Sequence, residues 1–131
     1  MSTSLRRVLT VVAAAVATTV VWLIAHQAVS GGLMAKISSG SGAKPTEITL
    51  AYVLVTTVLF GLIGWGLLSL LERSAKGRRN WTVIASVFLL ISLAGPLGSG
   101  QGTSTKLWLA LMHVVAAAVL IPGLTRARAD R

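Results

Sequence analysis

The sequence predicts an all-α fold: a bundle of four transmembrane helices in antiparallel, up-down order, with both termini in the cytoplasm. Three observations predict it. Four long apolar segments fill most of the 131 residues, and none contains Asp, Glu, Lys or Arg. Charged residues make up only 11% of the chain, less than half of the roughly 25% usual in a soluble domain. Lys and Arg are also shared unequally among the gaps between the segments. Arg6, Arg7, Arg73, Lys76, Arg78, Arg79, Arg126, Arg128 and Arg131 fall on one side of a four-pass chain, and Lys36, Lys44 and Lys106 fall on the other. Nine against three places the richer side in the cytoplasm under the positive-inside rule. Residues 1–131 read as a single membrane domain.

The expected helices are about 8–29, 50–71, 81–97 and 107–124, joined by outer loops 30–49 and 98–106 and a cytoplasmic loop 72–80. A helix rises ~1.5 Å per residue, so ~20 residues cross a hydrocarbon layer ~30 Å thick. Helix one follows the pair Arg6-Arg7, and Ala28-Val29-Ser30 after it resembles a signal-peptide cleavage site. A signal peptide's apolar stretch is usually about 7–15 residues. Val8–Ala25 already gives 18 uncharged residues, so retention as a membrane helix is expected.

The first outer loop holds Ser38-Ser39-Gly40-Ser41-Gly42. Such a stretch reads as a flexible tether, with a lid over an outer cavity as the alternative. Thr46 is expected to cap helix two, with Glu47 in its first turn. The loop 72–80 is short and basic, which makes helices two and three antiparallel neighbours. Gly95-Pro96 is expected to end helix three and Pro122-Gly123 helix four, because Pro supplies no N–H and clashes with the preceding turn. Trp22, Trp65, Trp81 and Trp108 read as interfacial anchors.

In lipid, small and weakly polar residues choose the inward face of a helix, because they permit close approach and hydrogen bonding. At ~100° per residue they form one stripe per helix: Ala14, Ala17, Thr18, Val21, Ala25 and Ala28 on the first, and Thr57, Gly61 and Gly64 on the second. Ala85, Ser92 and Pro96 follow on the third, and Ala110, His113 and Ala117 on the fourth. His113, Thr57 and Ser92 share a depth of ~8–10 Å below the outer boundary. They form a candidate intramembrane polar cluster, either interhelical glue or the wall of an outward cavity. His113 is expected to bond a hydroxyl or a carbonyl on a neighbouring helix.

With no Cys in the chain, thiolate metal sites and dithiol redox chemistry are excluded. No nucleophile–base–orienter set, phosphate loop or acidic metal cluster is present, so no enzyme activity, catalytic residue, metal or cofactor is expected. The net charge of +9 does not imply nucleic acid, because the cations flank apolar helices instead of lining a soluble face. The expected partners are the lipid bilayer and a membrane protein or a second copy of the chain.

Several runs carry a resemblance. They are the basic start into an Ala/Val-rich helix, Gly61-Leu-Ile-Gly-Trp-Gly-Leu-Leu-Ser-Leu-Leu-Glu72-Arg73, and Trp81-Thr82 with Gly95-Pro96-Leu97. Leu111-Met112-His113 running into Leu120-Ile121-Pro122-Gly123-Leu124 completes the set. Over nearly its whole length the chain resembles an uncharacterised family of small four-helix integral membrane proteins of actinobacteria. The resemblance implies a multi-pass protein of the bacterial plasma membrane and no assigned activity. The expected function is that of a non-enzymatic accessory or interaction subunit. The alternative is a small carrier or channel for a neutral or anionic solute, with an outward-facing cavity near His113.

Overall fold

The computed structural model describes residues 2–36 and 44–126. It is helical, with α1 at Thr3–Ala28, α2 at Leu50–Leu71, α3 at Gly77–Ser92, α4 at Ala94–Ser99 and α5 at Thr103–Arg126. Two short strands, β1 at Met34–Ala35 and β2 at Thr46–Glu47, lie between α1 and α2. Four helical spans are long and apolar enough to cross a membrane: α1, α2, α5 and the stretch Gly77–Gly98 that joins α3 to α4. Large apolar side chains face outward on all of them, among them Val16, Val55, Leu90 and Leu107. Such a surface is foreign to a monomer in water and ordinary against acyl chains.

α1, α3 and α5 begin earlier than the uncharged windows do, whereas α2 spans Leu50–Leu71 as expected. Ser2 caps α1 by accepting a hydrogen bond from Leu5 N–H at 3.1 Å, so Arg6 and Arg7 lie inside its first two turns. Arg is a good helix former and gives the backbone no reason to stop where hydropathy falls. At the other junction Gly77 opens α3 a turn before Trp81. A Cβ at Gly77 would overlap the carbonyl of Leu71, so this turn requires glycine.

Neither proline ends its helical span. Pro96 has no N–H for the carbonyl of Ser92, and α3 breaks at Leu93. The ladder holds on either side, Leu93 to Leu89 at 3.1 Å and Leu97 to Leu93 at 3.2 Å, and α4 then runs on. Pro122 lies within α5. The Thr125 hydroxyl one turn later donates to the carbonyls of Ile121 and Pro122.

The first outer loop is more ordered at its flanks than a tether. Met34 pairs with Glu47 and Ala35 with Thr46 in antiparallel register. The other edge of β1 meets the second outer loop, through a bridge from Ala35 to Gly100 and a bond from Gln101 N–H to the Met34 carbonyl. Alternate residues of this patch face the bundle, so Leu33, Ala35 and Ile48 are buried together with Ala25, Val53, Leu109 and Met112. Thr46 lies in β2, and the cap of α2 is Thr49, which accepts from Tyr52 N–H at 3.2 Å. The Ser38–Gly42 stretch lies outside the described residues.

Helix α1 packs most extensively on α5 and α2, while α3 bridges α2 and α5. Arg7 near the start of α1 reaches Glu72 at the end of α2, and Trp22 near the end of α1 reaches Ile48 just before α2. These two helices therefore run in opposite directions. Midway, Val11, Gly61 and Leu120 converge. At the charged end Leu68, Trp81 and Leu124 form a second buried cluster. Close approach of α1 and α5 depends on Gly123, where a Cβ would collide with the side chain of Thr10.

Candidate functional site

The most concentrated chemistry lies where the start of α1, the end of α2, the start of α3 and the end of α5 meet. Arg7 is 5% exposed. Its Nη2 donates to Glu72 Oε2 at 2.6 Å and its Nη1 to Ser69 Oγ at 3.1 Å. Arg78 Nε donates to the other carboxylate oxygen, Glu72 Oε1, at 3.0 Å. Arg78 Nη1 donates to the Thr125 carbonyl at the end of α5. One carboxylate thus ties two guanidiniums, and the three side chains tie four helices. Arg7 Nε is buried without a hydrogen-bond partner.

The arrangement follows from local structure. Glu72 is the C-cap of α2, its N–H bonded to the Leu68 and Leu70 carbonyls. Ser69 lies one turn earlier on α2, and its hydroxyl donates to the Trp65 carbonyl, which leaves the oxygen free to accept from Arg7. The tight turn into Gly77 brings Arg78 back beside Glu72. In low dielectric a guanidinium persists only when paired and hydrogen-bonded. Arg7 meets that condition through Glu72 and Ser69. Chemically the cluster is a clamp: it supplies donors and charge, with its carboxylate and the Ser69 hydroxyl both engaged by Arg7.

The sequence reading assigned Arg7, Glu72 and Arg78 to charged flanks only. A usable signal was present. The chain has just three acidic residues, and only Glu72 directly follows an apolar span amid cations. Trp81 was read as an interfacial anchor, yet it is 3% exposed and donates from Nε1 to the Gly64 carbonyl at 2.8 Å. Trp22 likewise donates to the Ile48 carbonyl at 2.8 Å, and it stacks on His26 with ring centroids 4.7 Å apart.

The structure gives His113, Thr57 and Ser92 separate partners. Thr57 Oγ1 lies 3.3 Å from Thr18 Oγ1 on α1. The Thr18 proton is directed at the Ala14 and Ala15 carbonyls, which makes Thr57 the donor. Ser92 donates to Leu89 on its own helix at 2.7 Å. His113 Nδ1 bonds the Leu109 carbonyl at 2.8 Å, also on its own helix, in place of the neighbouring-helix partner expected. No hydrogen bond joins the three. Thr57 meets α1, whereas Ser92 and His113 each satisfy a carbonyl about one turn back on their own helix.

A family model matches residues 1–130 and carries the description "Family of unknown function (DUF6069)". The chain belongs to this family. No curated protein and no solved structure matches it. For this DUF6069 member the match covers the clamp residues, the hairpin and all four spans. Those spans fit an integral, multi-pass membrane protein.

Proposed function

We propose that this DUF6069 protein is a non-enzymatic accessory subunit of the bacterial plasma membrane, of actinobacterial type. Both termini are cytoplasmic, and the protein packs against a transmembrane helix of another protein. The orientation rests on the nine-to-three charge count. One observation carries the interaction role: a lipid-facing groove of about 410 Å³ between α1 and α2. On α1 it is lined by Val8, Val12, Ala15 and Thr19, spaced by four, three and four residues. That spacing of small and β-branched side chains is the pattern of a helix-packing seam in lipid. Leu54 and Val58 of α2 form the opposite wall. Arg7, Glu72 and Arg78 meanwhile close on one another at one end, and the outer loops meet in the β1–β2 patch at the other.

Purification in mild detergent tests the proposal. The wild-type chain is expected to carry a stoichiometric membrane-protein partner, and Ala15→Trp, which fills the groove, is expected to lose it without unfolding the bundle. A strictly monomeric particle that moves a solute across liposomes would instead favour the alternative, a carrier for a neutral or anionic solute working near His113.

A further inference from the structure

Two cations at the basic end stand apart from the clamp. Lys76 and Arg79 are exposed, and neither is ion-paired with an acidic side chain among the described residues. Beside them is a recess of about 450 Å³ lined by Lys76, Arg79, Asn80, Val83 and Ile84. Its chemistry divides along the helix. Lys76, Arg79 and Asn80 offer N–H donors at the start of α3. Val83 and Ile84 are 56% and 45% exposed and lie about one turn further on, ~6 Å along the axis from Arg79 and Asn80. Arg78, between the two cations, is turned into the bundle, where Glu72 and the Thr125 carbonyl hold it. The local sequence therefore sorts its cations into one that locks the fold and two that are left for something outside it.

We propose that this recess is a binding site for one anionic phospholipid molecule. The phosphate is held by Lys76, Arg79 and Asn80, and the upper acyl carbons lie on Val83 and Ile84. Charge complementarity selects an anion, because the rim holds two cations and no acid. The floor selects a lipid over a free anion. It is apolar, and it continues along α3 into the outward-facing Val87 and Ile91, whereas a soluble phosphate would leave Val83 and Ile84 facing water. A cationic rim one turn from a lipid-facing surface puts the charge at headgroup depth when α3 crosses a membrane. The inference depends on that crossing and not on any protein partner.

The test is native mass spectrometry of the full chain in detergent, with phosphatidylglycerol and phosphatidylcholine titrated in turn. One phosphatidylglycerol is expected to be retained in preference to phosphatidylcholine. In Lys76→Gln/Arg79→Gln its affinity is expected to fall by about thirty-fold, from the surface attraction typical of each lost cation. Arg73→Gln, a cation outside the recess, is expected to change it little. Among the described residues neither the Lys76 nor the Arg79 side chain is ion-paired to another part of the chain, so the variants are expected to melt with the wild type. The single Arg79→Gln gives a second reading if the double variant does not. Equal retention in the wild type and these variants would overturn the site. An equal loss in Arg73→Gln would reduce it to diffuse surface charge. Displacement of the lipid by millimolar inorganic phosphate would overturn the assignment to a lipid. Each result is independent of whether a protein partner co-purifies.

Discussion

Glu72 receives a guanidinium on each of its two oxygens, and that division governs what its removal does. In Glu72→Gln both Arg7 and Arg78 lose their counter-charge, Arg7 while almost wholly buried. Breaking a buried pair on one side leaves an uncompensated charge and costs about 3 kcal/mol or more. We expect Glu72→Gln to show that loss in melting or chemical denaturation of the detergent-solubilised protein. Arg7→Met removes the buried charge itself and leaves Glu72 with Arg78, so a smaller loss is expected. Equal stability of Glu72→Gln and the wild type would show that the clamp contributes nothing. His113 is the contrasting case. Its Nδ1 bonds its own helix, so His113→Leu breaks no interhelical hydrogen bond among the described residues and should cost less than about 1 kcal/mol, the usual net worth of one hydrogen bond. The clamp was hard to read from sequence because Arg7 and Glu72 are 65 residues apart. A cation bordering an apolar window looks the same whether it faces headgroups or a carboxylate.

The helices themselves were legible because hydropathy and length state them directly. Both ends of α2 were legible too, but the other helices overran their windows, because helical geometry outlasts the apolar stretch wherever a cap or a good helix former borders it, as at Ser2 and Arg6. Thr46 and Thr49 are both plausible caps before α2, and pairing of β1 with β2 decides for Thr49, a contact between residues that no local pattern links. The small-residue rule marked α1 well, since Ala14, Thr18 and Ala25 are buried. It misplaced α5, where the larger Leu109 and Met112 fill the space that small residues on α1 leave. Gly123 sets how closely those two helices approach. Gly123→Ala is expected to destabilise the bundle by about 1–3 kcal/mol, the usual cost of overpacking. Thr10→Ala in the same chain should recover most of the loss, because the colliding atoms belong to the Thr10 side chain. Additive losses in the double variant would mean that the two residues do not meet.

At the scale of the whole molecule the bundle is polar in the electrical sense. Arg6, Arg7, Arg73, Lys76, Arg78, Arg79 and Arg126 gather at the end where α1 starts and α5 finishes, and Lys36, Lys44 and Lys106 lie at the other. A reporter active only in the cytoplasm is expected to give signal when fused after Gly77 or at Arg131, and none when fused within Ser38–Gly42. Signal from a periplasm-type reporter at Arg131 would contradict the charge count. This sidedness was readable from the sequence because it is a sum over the chain. The activity was not, because Arg7, Glu72 and Arg78 are held by one another and no motif in the chain names a substrate.

The close pairing of α1 with α5 has a consequence for biogenesis. Of the four spans α1 is made first, and it finds its main neighbour, α5, only after the other two have been made. Until α2 follows, Arg7 lacks its Glu72 partner, and Arg78 lacks its Thr125 carbonyl until α5 has been made. During that interval α1 must wait at the membrane with its cation held at the lipid surface. The clamp can therefore form in part once α2 is made, but it is complete only after α5.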